Sequence, residues 1–140
     1  MTATAPLLNG QLIGITYHAI AAVRDRLLAA SGLTFHQSVA LKAVADGLDR
    51  AGAVDRMTTT LQIGTSAAAA LLDELVDAGL LDSAGSSLTD QGERIHRALT
   101  DAVAGLTERL YGDLPEAERE IAGRALAHVT ARANAELAAG

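Results

Sequence analysis

The sequence has no cysteine and no tryptophan, and its 140 residues include three aromatic side chains, Tyr17, Phe35 and Tyr111. Without cysteine there is no disulfide, no thiolate metal site and no thiol redox sensor. The histidines, His18, His36, His96 and His128, include no short-spaced pair of the kind a structural zinc requires, so neither a metal nor a cofactor is expected. Also missing is any apolar stretch near the roughly 20 residues of a membrane span, or a basic flank leading into an apolar run and a small-residue cleavage site. The expectation is a cytoplasmic protein with no membrane partner. Positive charge is scarce as well: 11 Lys and Arg against 17 Asp and Glu give a net charge of −6. That balance repels nucleic acid at long range unless the cations share one face.

What remains is 49% hydrophobic, and with so few rings the core must come from Leu, Ile, Val and Ala, which points to a mostly α chain of one-domain size. Leu7 to Ala30 reads as a long first helix with Ile13, Tyr17, Ile20 and Leu27 on one stripe, stopped by Gly32. Thr34, followed three residues on by Gln37, forms a capping box that opens a helix with Ala40, Leu41 and Val44 on its apolar face. Gly52 to Leu61 suggests a shorter helix despite three consecutive threonines. Thr65 is expected to cap the next, whose buried set is Ala68, Leu71, Leu72 and Leu75 and whose end is Gly79. Leu80 to Leu88 is too short for another helix and reads as a minimal two-stranded hairpin. Thr89 or Asp90 then opens a long helix striped by Ile95, Leu99, Val103, Leu106 and Leu110. The last helix is expected to use Asp113 as its cap, with Pro115 in its first turn. The terminal helices carry apolar stripes with little chain to cover them, which leads to a homodimer as a hypothesis.

The stretches LTFHQSVALKAV, LLDELVDAGLL, LTDQGERIHRAL and LPEAEREIAGRALAHV, taken in that order and spacing, resemble the MarR (multiple antibiotic resistance regulator) family of winged-helix transcription factors. Leu33, Thr34 and Gln37 look like the opening of that family's second helix; Leu71, Asp73, Leu75, Gly79 and Leu80 like the end of its recognition helix; and Leu88, Thr89 and Gly92 like the return from its wing. The resemblance implies one domain over 1–140: a winged helix-turn-helix lobe at 33–89 with a minimal hairpin, and dimerisation helices at 7–31 and 90–138. It also implies a small-molecule pocket between the dimer helices and the reading head. Candidate contacts to double-stranded DNA are then Arg50, Arg56, Thr65, Ser66, Ala67, Ala70, Ser86 and Ser87. Tyr17, His18, Phe35, His36 and Gln37 are the candidates for holding a small aromatic or anionic ligand, with an imidazole donating to a phenolate or carboxylate.

The reading head departs from what a DNA reader needs. Base edges are best read by Arg, Asn and Gln, and phosphates by Lys and Arg, yet the outward face here offers Ser66, Ala67, Ala70 and Glu74, and the wing tip SAGSS has no basic residue. Between Leu33 and Gly92 three cations, Lys42, Arg50 and Arg56, stand against eight carboxylates, a balance of −5. The alanines 67–70 serve equally well as a tightly packed helix face, and Arg50 and Arg56 as partners in local ion pairs. No Ser/His/Asp arrangement, phosphate-cradling glycine loop or ordered carboxylate pair gives a signal for catalysis, and no catalytic residue is assigned. The resemblance, running nearly the whole chain, implies a ligand-responsive dimeric regulator of MarR type. Its alternatives are a MarR-fold small-molecule-binding protein or recruited enzyme that has lost DNA binding, and an interaction module that pairs through its acidic head.

Overall fold

Short polar side chains set most of the helix starts. In the computed structural model, which describes residues 4–140, the Asn9 Oδ1 accepts from the Leu12 amide at 2.8 Å and opens α1, Gly10–Ala29. The helix therefore begins three residues later than the hydrophobic stripe alone suggests, because a side-chain cap fixes a first turn more firmly than Leu7 and Leu8, which remain exposed. Thr34 and Gln37 form the expected reciprocal box, the Thr34 Oγ1 accepting from the Gln37 amide at 3.1 Å and the Gln37 Oε1 from the Thr34 amide at 3.0 Å. It starts α2, Phe35–Ala45. Thr34→Ala is expected to cost about 1 kcal/mol, the usual worth of such a cap, and to lower the melting temperature by a few degrees in a thermal circular dichroism scan. An unchanged melt would show that packing alone holds this turn.

The third helix, α3, spans Arg50–Leu61 and is capped by Asp49, whose Oδ1 accepts from the Gly52 amide at 2.8 Å. Gly52 thus lies inside the first turn rather than at its start. The threonine run is tolerated because the hydroxyls of Thr58 and Thr59 both donate to the Asp55 carbonyl inside the helix. Thr65 does not cap the fourth helix. It is the first residue of α4, Thr65–Asp77, whose N-cap is Gly64 with no side-chain hydrogen bond. Asp113 likewise makes no cap: Pro115 precedes α6, Glu116–Ala139, and supplies no side-chain acceptor. Between these lies α5, Asp90–Tyr111, opened by Thr89, whose hydroxyl accepts from the Gly92 amide and donates to the Gly79 carbonyl.

The chain divides into two compact units, one running to Ala102 and one from Val103 to Gly140, with α5 continuing across the boundary. In the first unit α2 packs on α3 and α4, α3 on α4, and α1 on α2. Leu41, Met57, Leu72 and Leu75 are fully buried there, together with Ala40, Ala43, Ala53 and Ala68. Buried alanines let these helices approach closely, which is how a core with few rings reaches solid-like density. The hairpin is reduced to one antiparallel bridge, Leu81 to Leu88, closed by an Asp82 amide to Ser87 carbonyl bond. In the second unit α6 has no buried residue.

Candidate nucleic-acid and ligand sites

The helix-turn-helix surface runs along α3 to the start of α4. An open groove of about 580 Å³ runs there, lined by Arg50, Ala51, Val54, Asp55, Thr58 and Thr65. Thr65, Ser66, Ala67 and Ala70 are all exposed, and the first amides of α4 receive no side-chain acceptor from the cap residue. Uncapped helix N-termini and exposed hydroxyls are donors suited to phosphate. Ser86 and Ser87 are exposed on the wing turn, but their amides both point to the Asp82 carboxylate, at 2.9 and 3.4 Å. Those bonds, the Ser86 amide foremost, hold the Asp82 carboxyl below its ordinary value.

The two arginines are both engaged with acids. Arg50 Nη2 donates to Asp73 Oδ1 on α4 at 3.0 Å. The same guanidinium stands near Gly85 in the wing turn, where an added Cβ would come within 3.3 Å of Nη1. Arg56 donates to Asp46, which also receives Lys42 at 3.4 Å. Arg56 foremost, with Lys42 beside it, holds the Asp46 carboxyl below its ordinary value. Every cation between residues 33 and 92 thus sits against a carboxylate of the same chain.

Of the five ligand candidates, Tyr17 and Phe35 are drawn together by a residue that sequence reasoning missed, Arg24. Its guanidinium carbon stands 3.7 Å from the Phe35 ring centroid and 5.9 Å from that of Tyr17, and it donates sideways to Asp25. Stacking of this kind is favourable for a weakly hydrated, planar cation. A signal for it existed: Arg24 follows Tyr17 by seven residues, two helical turns along one face of α1. His18 and His36 are exposed and lie edgewise or tilted against their neighbours, Tyr17 and Phe35. Gln37 is turned elsewhere. Its Oε1 serves the capping box and its Nε2 donates to Glu74 Oε2 at 3.1 Å, tying α2 to α4. Among the described residues no group of three or more His, Asp or Glu could hold a metal ion, and no helix is long and apolar enough to cross a membrane.

Among the described residues, six helices with a single-bridge wing between the fourth and fifth give a winged helix-turn-helix fold, the fold of solved MarR-family structures. MepR of S. aureus in a DNA complex superposes with a TM-score of 0.72 at 20% identity, covering 89% of this chain and 96% of that one. CouR of Rhodococcus jostii RHA1 bound to p-coumaroyl-CoA gives 0.71 at 19% identity, with 86% and 90% covered. The Mycobacterium tuberculosis MarR family protein Rv2887 in complex with DNA gives 0.65 at 23% identity, with 90% and 98% covered. No protein-family model and no curated protein matches the sequence. The likeness is one of fold.

Proposed function

We propose that this chain is a cytoplasmic, dimeric, ligand-responsive transcriptional regulator that binds double-stranded DNA through its winged helix-turn-helix. The observation that carries the reading is the α3–α4 groove, where Arg50, Thr58 and Thr65 meet beside the uncapped start of α4. Two of the similar structures are complexes with DNA. Residues 7–31 and 90–138 would pair with a second copy, giving two heads on one duplex. Thr65, Ser66, Ser86 and Ser87 would then meet phosphate, with Arg50 and Arg56 once they leave their carboxylates, while Ala67 and Ala70 offer at most a methyl contact to thymine. Direct base readout is correspondingly small.

A small aromatic or anionic ligand would be held beside Arg24, Tyr17 and Phe35, with His18 and His36 at the margin. CouR, for comparison, was solved with an acyl-CoA bound. Ligand there would act on the head through Gln37, the side chain that joins the start of α2 to Glu74 on α4, and so shift the population of head spacings. A second reading, a ligand-binding protein of this fold without DNA binding, is favoured by one observation, the pairing of every head cation with an acid.

Fluorescence anisotropy separates the two. With the DNA upstream of its own coding sequence and with random duplex, at low and moderate salt, a regulator shows a site preference that survives moderate salt. Combined Arg50→Ala and Arg56→Ala should then weaken binding to both duplexes about equally, as phosphate contacts do. Absence of binding even at low salt would overturn the regulator and leave the second reading.

A further inference from the structure

We propose that the reading head is electrostatically latched: Asp73 on Arg50, and Asp46 on Arg56 and Lys42, occupy the cations that would otherwise bind phosphate, so that DNA association is an exchange of carboxylate for phosphate. The inference rests on the DNA-binding reading above and specifies how that surface is regulated.

The latch is made of named contacts. Arg50 reaches across 23 residues of sequence to Asp73, and its charge is satisfied through Nη2 alone, leaving other donors of the fork available. Its side chain also borders the groove shared with Thr58 and Thr65. A guanidinium released from Asp73 therefore needs only a rotamer change to turn toward an anion lying in that groove. Asp46 holds two cations at once, Arg56 from α3 and Lys42 one turn earlier on α2. All of these side chains are a third or more exposed, and exposed pairs are weakly held and yield to a competing anion.

Exchange has a signature that simple charge repulsion lacks. A free cation meeting phosphate displaces roughly 0.9 of a counterion from the duplex, whereas a latched one frees a carboxylate that regains its own counterions and repels the DNA. The intact protein should therefore show low affinity and a shallow dependence on salt. Asp73→Asn removes the latch at nearly constant shape. Asp77→Asn removes the same formal charge from the same helix without touching a cation pair.

The test is anisotropy on random duplex across a salt series for the wild type, Asp73→Asn, Asp46→Asn, Asp77→Asn and the double variant Asp73→Asn with Arg50→Ala, each checked for an unchanged helical spectrum. Asp73→Asn is expected to tighten binding about tenfold at low salt and to steepen the logarithmic salt slope by roughly one unit per protomer. Asp46→Asn should act in the same direction. Asp77→Asn should change affinity by no more than about twofold, and Arg50→Ala should abolish the gain of Asp73→Asn. Equal gains in Asp73→Asn and Asp77→Asn, or a gain that persists without Arg50, would overturn the latch and leave only total charge. Wild-type binding unaltered by Asp73→Asn and Asp46→Asn would overturn it while the DNA-binding reading stands. No binding by any variant at low salt would overturn both.

Discussion

Gly92→Ala is expected to destabilise the protein by more than about 3 kcal/mol, beyond the ordinary range for adding one carbon to a packed interior. A Cβ at Gly92 would clash with the Leu80 carbonyl oxygen and lie 3.1 Å from its carbonyl carbon. Both obstacles are backbone, so no rotamer change relieves the clash. The same oxygen accepts the Thr89 amide at 3.0 Å, and Leu80 is a buried core residue following α4. Accommodation would require α5 to move away from the end of α4, breaking the Thr89 cap and the bridge of the wing together. The melting temperature should fall by roughly 10 °C or more at this chain length, read by circular dichroism. Gly14→Ala, inside α1 with nothing within 4 Å of the added carbon, should instead be neutral or raise stability by up to about 1 kcal/mol. Equal melts for the two variants would defeat the close-approach argument.

That glycine shows why parts of the fold were legible in the sequence. Its place in LTDQGER was legible through the likeness of Leu88, Thr89 and Gly92 to the return from a wing, whereas the Leu80 backbone that leaves no room for a Cβ is seen only in the fold. The capping box at Thr34 and Gln37 was readable outright, because its chemistry is complete within four residues. Leu72 and Leu75, a helical spacing apart, revealed the buried side of α4. Helix starts were less legible. Asn9 and Asp49 cap where a periodic stripe gives no hint, while Thr65 and Asp113 have the right side chains in positions where the backbone makes no use of them.

The candidate site divides along the same line. Tyr17 and Phe35 were named through the family resemblance, but what joins them, Arg24, acts across two helices. The deficit of positive charge in the head was countable. Which carboxylate takes which cation was not, because Arg50 and Asp73 are 23 residues apart and become neighbours only when α3 packs on α4. Contacts local in sequence are written in residue type and spacing, whereas contacts made by packing are written only in the fold.

Association is where the second large effect is expected. The helix α6 runs 24 residues without burying one, although Ile121 and Leu137 are 59% and 66% exposed and Leu126 and Val129 stand open beside them in the sequence. Full burial of each such side chain is worth about 1.5–3 kcal/mol. A second copy of the chain, meeting the same residues about a two-fold axis, would supply that burial twice over. Light scattering should therefore give twice the 14.3 kDa chain mass. Introducing Ile121→Glu together with Val129→Glu sets four carboxylates into the symmetric contact, and is expected to weaken dimerisation by at least about 100-fold, since unpaired charge in an apolar interface costs several kcal/mol. Affinity for a two-site duplex should fall by about the same factor or more, because each head then binds without the effective concentration supplied by its twin. A wild-type monomer at micromolar concentration, or a doubly substituted chain that still runs as a dimer, would show that these helices face something other than a second copy.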